Sequence, residues 1–420
     1  MTKGIVHIIG AGLAGLAAAV RLSAGGADVI LHEAAAHAGG RCRSYFDPVL
    51  GITIDNGNHV VLSGNTATLD YLRTIGAEAR LADPGCANFP FFDLASHERW
   101  SIRPNRRGIP WWIFATSRRV PGTRAAEYLA MWRLLRAPPD QPVGQVLACS
   151  GLLYDRLWRP LLLAALNTEP ATAAAGLASA TMRGTLVRGG RASRPLIPAA
   201  GLSEVFVAPA LEFLQARGGA IRYGHRLRAM NFGRQTVGEL DFGDEGVRLA
   251  PDDRVVLAVP PWVAVSMVPG LEVPTEFRAI VNAHFLVTPP RTLQPMIGVV
   301  NGTIEWIFCF RDRLAVTISA ADRLLDVARS TLAGDLWREV AAVTGMAASP
   351  VPAWQIIKER RATFAALPKE NAKRPPSTTQ WANLVLAGDW IQTGLPATIE
   401  GAIRSGNCAA DHAGWGRDAS

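Results

Sequence analysis

Residues 5–43 read IVHIIGAGLAGLAAAVRLSAGGADVILHEAAAHAGGRCR, and the order of their parts decides how the rest is read. Ile5–Ile9 is an unbroken apolar run, the pattern of a strand buried on both faces of a parallel sheet. Gly10, Gly12 and Gly15 follow in G-x-G-x-x-G spacing. Leu16–Ala24 is alanine-rich and helical, Gly25-Gly26 breaks it, and Val29–His32 is a second apolar strand that ends at Glu33. Gly10 permits a tight strand-to-helix turn, Gly12 lets a pyrophosphate approach the backbone, and Gly15 lets the helix pack closely. Free N–H groups along Ala11, Leu13 and Ala14, with the helix dipole behind them, suit a phosphate charge. Glu33, with Ala34 beside it, stands where an acid accepts hydrogen bonds from a ribose hydroxyl pair. The stretch predicts dinucleotide binding, against a glycine-rich turn in an unrelated α/β unit.

Gly39-Gly40-Arg41 lies just past Glu33 and resembles the second glycine motif of flavin oxidoreductases in the amine oxidase and phytoene desaturase group. The resemblance implies further backbone donors and a positive charge near the pyrophosphate of FAD. FAD, held non-covalently, is therefore favoured over NAD.

Composition bounds the rest. The chain has 420 residues, 49% hydrophobic and 19% charged, enough for two or three units with large cores. Net charge is +8, and only four of the 43 basic residues are lysines. Such a surplus favours an anionic partner: a phosphorylated cofactor or an acidic membrane surface. No nucleic-acid motif occurs, so nucleic acid is not expected. Five cysteines are scattered with no C-x-x-C, which suits a reducing, cytoplasmic location without a disulfide framework. No histidine pair has metal spacing, and no metal is expected. Gly4–Val20 is apolar like a signal peptide, yet it carries the glycine fingerprint and reads as mature fold. No other uncharged stretch reaches the 18 or so residues of a membrane span.

Along the chain, Gly51–Gly57 reads as a strand closing on a turn, followed by Asn58, His59 and an apolar pair. In the resembling family the D-x-G here brings backbone to the flavin ring, which points to Gly57, Asn58 and His59; Asp55 would otherwise cap the turn. Thr68–Ile75 reads as a helix. Trp100–Arg136 interleaves Trp100, Trp111, Trp112, Phe114 and Trp132 with eight arginines. Such a mixture suits a membrane interface, or else a domain wall with arginines in water and tryptophans in the core. Leu152–Asn167 is a strongly apolar helix, and Ala171–Leu186 a small-residue one. Pro195–Val205 resembles a glycine turn and helix start re-entering the cofactor domain, with Ser203 and Glu204 as a cap. Gly219–Met230 reads as one strand with Leu227 near its end, where the family touches the adenine side. Arg254–Pro261 reads as a buried strand, Pro289–Trp306 as extended structure lining a pocket, and Leu314–Ala342 as passing into helix.

Leu384–Asp389 is a strand running into Gly388-Asp389, and Gly394–Ile403 leads into a helix. This resembles flavoproteins of the GR2 type, which implies that Asp389 lies on the ribitol. It also implies that Thr398, Ile399 and Ala402 aim a helix N-terminus at the flavin, where the dipole steadies negative charge.

The whole chain resembles the flavin amine oxidase superfamily and, within it, the squalene-associated branch of hydroxysqualene dehydroxylases. Arg159–Thr168 and Leu384–Gly401 carry that narrower resemblance. It implies reductive dehydroxylation of hydroxysqualene to squalene in hopanoid synthesis: loss of the allylic hydroxyl, then hydride from reduced FAD. It implies a long isoprenoid substrate, an external reductant (reduced flavin, a nicotinamide or a protein donor), and membrane or prenyl synthase neighbours. The proton donor is left open among Asp55, His59 and Asn167 with an attached water. Two enzymes compete: a carotenoid desaturase, and an amine or protoporphyrinogen oxidase. Amine oxidases of the group use a lysine–water pair, yet no lysine lies between Lys3 and Lys358, and the last tyrosine is Tyr223. A non-catalytic FAD-binding partner of prenyl synthases is the reading from another class.

The expected fold is α/β: a GR2-type FAD-binding, Rossmann-like domain with a second, mixed α+β substrate domain. The cofactor domain is expected at 1–64, 198–266 and 377–420. The substrate domain is expected at 65–197 and 267–376, with 100–136 facing a membrane.

Overall fold

The structure, a computed structural model, describes residues 4–413; the expected outer ends of the cofactor domain, 1–3 and 414–420, lie outside them. A five-stranded parallel sheet is ordered Leu384–Leu386, Arg254–Leu257, Ile5–Ile9, Asp28–His32, Ala220–Arg222. Ile5–Ile9 sits at its centre, paired in register with Asp28–His32 on one side and Arg254–Leu257 on the other. That placement explains the unbroken apolar run, since both faces of a central parallel strand are covered. The first helix, Leu13–Ala24, begins earlier than its alanine run suggested, and ten of its residues from Leu13 to Ser23 are buried. It is apolar almost all round because the sheet covers one side and helix Ile399–His412 the other.

A second, seven-stranded sheet is ordered Trp354–Phe364, Phe277–Leu286, Arg313–Ile318, Trp306–Cys309, Met296–Val300, Phe89–Asp93, Arg99–Ile102. Its pairings are antiparallel except that between Met296–Val300 and Phe89–Asp93. The pleat sorts its side chains. Ile307, Val316 and Phe285 turn to one face, where Leu336, Trp337 and Val340 of helix Arg329–Thr344 cover them. Trp306, Phe308 and Thr317 turn to the other, towards a large cavity. Between Arg278 and Ile280 the register slips, so that Arg360, Arg361 and Ala362 bulge opposite the single residue Ala279.

The structure corrects several expectations. Gly219–Met230 is two strands, because Gly224 takes φ +65° and turns the chain. Ala220–Arg222 closes the parallel sheet, and Ala229–Phe232 opens a separate antiparallel meander with Val237–Asp241 and Gly246–Arg248. Ser203 caps no helix: its Oγ accepts from the Ser44 N–H at 2.8 Å while its own N–H donates to the Ser44 Oγ at 2.9 Å. The 171–186 helix is confined to Ala175–Gly184. Pro289–Trp306 contains one strand, Met296–Val300, and the two long strands Phe277–Leu286 and Trp354–Phe364 were not anticipated. The aromatic segment 100–136 divides: Trp100 and Trp112 are core, whereas Trp111, Phe114 and Trp132 stand in solvent.

Candidate active site

The parallel sheet's C-terminal end and the mixed sheet's face share one cavity of about 1290 Å³. That exceeds the roughly 300–1,000 Å³ of an ordinary small-molecule site, so there is room for two ligands.

One end is built from the glycine turn. Gly10 has φ +105°, and a Cβ there would stand 2.5 Å from the Ala258 carbonyl oxygen; one on Gly15 would stand 1.9 Å from that of Gly10. Neither position accepts a side chain. A Cβ on Gly12, by contrast, meets no protein atom within 4 Å, because it points into the cavity. The helix starting at Leu13 has no side-chain cap and no acid in its first turn, so its N–H groups and dipole are left for an anion. Ala14 lines that turn and Ala34 follows Glu33 on the wall, whereas Ala11, expected to offer a free N–H, is fully buried away from the cavity and gives that N–H to Glu33. The Glu33 carboxylate accepts from the N–H of Ala11 at 2.8 Å and of Ala35 at 2.9 Å, which fixes it at the cavity edge. Leu227, buried, lines the same end beside His32 and His225, whose Nδ1 atoms are 2.8 Å apart.

The middle is organised by Arg41. Gly40, at φ +57°, turns the chain so that the Arg41 guanidinium meets the Asp389 carboxylate at 2.7 Å and the carbonyl of Ala362. Gly388 precedes Asp389, and the 389–393 loop is gathered by buried Arg374, which donates to the Asp389 and Trp390 carbonyls and to the Thr393 Oγ1. Burial lowers the Arg374 pKa to about 10, against the pull of Asp389. Thr398 caps helix Ile399–His412 by accepting from the Gly401 N–H at 3.0 Å, and Ile399 and Ala402 line the wall. Glu400 turns away, accepting from the N–H and Oγ1 of Thr68 at 2.9 and 2.7 Å, and so caps the helix beginning at Thr66.

Gly57, Asn58 and His59 line the cavity wall next. Behind Gly57, Asn282 accepts from Thr317 Oγ1 at 2.8 Å and donates to the Asn56 carbonyl. Burial, with the Arg41 charge second, lowers the His59 pKa to about 4, so its imidazole is neutral at physiological pH. Asp55 is not at the cavity: its carboxylate is spent on Ser44 Oγ at 2.6 Å and the Leu202 N–H at 2.8 Å, tying two segments together. Asn167 reaches the wall, but its side chain donates to Thr363 Oγ1 at 2.9 Å and accepts from the Ala320 N–H at 2.7 Å. Its φ of +47° ends helix Arg159–Leu166, so it is a clamp between elements. Asp55 and Asn167 are therefore withdrawn as proton donors.

The far end is apolar: Leu161 and Ala165 of the 159–166 helix, Met182, Met296, Trp306 and Phe308. No lysine lines the cavity among the described residues; Lys358 points away, its Nζ bound to the carbonyls of Leu324, Leu325 and Val327. The sequence reading missed Glu359, Asn282 and Thr317. Glu359 had one legible signal, the single acid in the strand run Gln355–Phe364, set between Lys358 and Arg360-Arg361.

An uncapped helix over an open glycine turn, an anchored acid and a second helix start on one cavity fit FAD, and they define a flavoprotein oxidoreductase site. The profile of the flavin containing amine oxidoreductase family matches residues 13–413. The chain belongs to that family and is an FAD-dependent oxidoreductase. It is 54% identical over 407 residues to the hydroxysqualene dehydroxylase of Rhodopseudomonas palustris, covering 97% of each chain. It is 52% identical over 406 residues to that of Sinorhizobium fredii, again covering 97% of each. Among solved structures it shares the fold of the cyclohexylamine oxidase of Brevibacterium oxydans, with a TM-score of 0.70 at 16% identity over 98% of this chain and 99% of that one.

Proposed function

We propose that this chain reduces hydroxysqualene to squalene. FAD would lie along Gly10–Gly15, Glu33, Gly40-Arg41, Gly57–His59, Leu227, Gly388-Asp389 and the helix start at Thr398. The carrying observation is the single cavity that joins a glycine cradle to an apolar arm, in a chain half-identical to two hydroxysqualene dehydroxylases. Among the described residues we assign 198–266 and 377–413 to the cofactor domain and carry its first piece past the expected boundary at 64 to Leu81, because Tyr71, Leu72, Ile75, Ala77 and Leu81 are buried in one core with helix Leu13–Ala24; the remainder forms the substrate domain.

Bound reduced FAD supplies the hydride. The protein does the rest. Leu161, Met182, Met296 and Phe308 hold the hydrocarbon and keep water from the allylic centre. The Trp306 and Phe308 rings face the same space and suit a developing cation. Neutral His59 adds no positive charge there. The allylic C–O bond breaks as the oxygen takes a proton and leaves as water, and the hydride forms the new C–H bond. The sequence holds one glycine fingerprint, so the electrons for a further turnover would come from an external two-electron donor.

The test is anaerobic. The dithionite-reduced protein is mixed with hydroxysqualene, and the expected outcome is flavin reoxidation with squalene seen by mass spectrometry. A flavin that stays reduced, but is itself reduced by an amine or polyene when oxidised, would overturn the reading in favour of an oxidase or desaturase.

We also infer contact with an anionic membrane surface. No helix among the described residues is long and apolar enough to cross a membrane. Ile109, Trp111 and Phe114 are nonetheless each more than 60% exposed, and Leu129 and Trp132 stand out nearby. Exposed Arg106, Arg107, Arg133 and Arg136 surround them. Segment 105–108 packs on residues 187–191, next to Leu186 of the cavity wall. The protein should sediment with vesicles containing anionic lipid, and W111S/F114S should lose most of that binding. Equal sedimentation of both proteins would remove the patch from the reading.

A further inference from the structure

The reaction needs one proton at the departing oxygen. We propose that Glu359 gives that proton to the hydroxyl, and that the carboxylate it becomes faces the allylic cation until hydride arrives. This rests on the dehydroxylation reading above.

The other acids of the cavity wall are occupied. Asp389 is held by Arg41 at 2.7 Å. Glu33 is held by two backbone N–H groups. Glu400 is spent on Thr68 and Arg404. The histidines are poor donors: burial leaves His59 neutral, and His32 more so, with a pKa near 3. His225 is engaged by His32 and by Glu245 at 3.3 Å. Glu359 alone among these carboxylates has a single weak contact, Asn56 Nδ2 at 3.3 Å from its Oε2.

Its position fits the task. Glu359 is the last regularly paired residue before the bulge, opposite Ile280. Three residues on, the Ala362 carbonyl holds Arg41 in the cofactor half. Four residues on, Thr363 holds Asn167 at the end of the helix that walls the apolar arm. The bulge thus sets Glu359 at the junction of the two halves. The groups shown around it are Arg41, already shared with Asp389, and uncharged Asn56 and Ile280. On its own strand, Arg360 and Arg361 are exposed but also line the cavity, Arg361 lying over the Trp262 ring, and Lys358 is bound on the opposite face.

Flavin reoxidation by hydroxysqualene is followed by anaerobic stopped flow across pH for wild type, E359Q and E359D. Squalene binding is read separately, from the visible spectrum of the oxidised flavin. E359Q should slow reoxidation by about 100-fold or more and should lose the fall in rate towards high pH. E359D should recover part of the rate and keep that limb at a shifted pH. Both variants should hold FAD and bind squalene as wild type does. An E359Q rate within threefold of wild type, or an unchanged pH limb, overturns the proposal. So does a loss of FAD or squalene binding that matches the loss of rate. A wild-type protein that leaves hydroxysqualene untouched refutes the dehydroxylation reading, and the proposal falls with it.

Discussion

The two sheets meet the same cavity with opposite chemistry. The parallel sheet presents strand ends: Gly10, Glu33, Ala258 and Gly388 stand where strands give way to turns. What it offers is backbone N–H, helix dipole and an anchored acid. The mixed sheet presents a face, with Ile280, Met296, Trp306 and Phe308 projecting from the pleat. What it offers is apolar area. Strand ends hold charge through the main chain, so they demand glycine at fixed spacing. A sheet face holds a hydrocarbon through bulk, and many combinations of large apolar residues supply it. The first kind of site leaves a motif; the second does not.

The comparison can be broken first at the strand ends. Gly12→Val should abolish FAD retention, because its side chain would enter the open cradle, while the fold persists, since a Cβ there meets no protein atom within 4 Å. A variant purified yellow and fully loaded would show that the cradle is elsewhere. At the sheet-face end, Ala165→Trp would fill the apolar arm. It should lower kcat/KM for hydroxysqualene roughly 100-fold with FAD content unchanged; loss of flavin instead would mean that the two ends are not separate.

A pH titration sharpens the contrast by placing one histidine in each sheet. Burial, then the Arg313 charge, lowers the pKa of His284 in the mixed sheet to about 4. Burial, then His7 and His225, lowers that of His32 in the parallel sheet to about 3. The unfolded chain takes up these protons near pH 6.5 and the folded chain does not. Stability present above pH 6.5 is therefore lost as pH falls, towards 4 for His284 and 3 for His32, by about 1.4 kcal/mol per unit for each. Thermal melting should move down between pH 6 and 5, and H284Q and H32Q should each flatten part of that slope. The smallest effect expected is Glu33→Gln. One charge-assisted backbone contact is lost, and FAD should bind about tenfold more weakly by equilibrium dialysis.

Much of the cofactor half was legible. Gly10, Gly12, Gly15, Glu33 and Asp389 stand in short segments whose spacing follows from local backbone geometry; the structure sets Gly10, Gly12, Glu33 and Asp389 around one cavity, with Gly15 packed behind Gly10. The substrate half was less so. Phe277–Leu286 and Trp354–Phe364 carry interrupted apolar patterns because one face meets a helix and the other a cavity that tolerates Asn282 and Glu359. Asp55 shows the opposite error: an acid in a promising D-x-G turned out to be a tie to Ser44 and Leu202.

By itself the sequence determined the first strand with its glycine turn, the second helix start and the family resemblance, because each is written in a short local strand–turn–helix pattern; the order of the parallel sheet joins strands such as Ile5–Ile9 and Arg254–Leu257 that lie far apart in the chain. Only the tertiary structure decided which carboxylates are spent and which is free. Glu359 lies more than 300 residues from Asn56 and Arg41 along the chain, and its role depends on a three-residue bulge that brings those segments together. Hydrogen-bond saturation is a property of all the partners at once, and no local pattern encodes it.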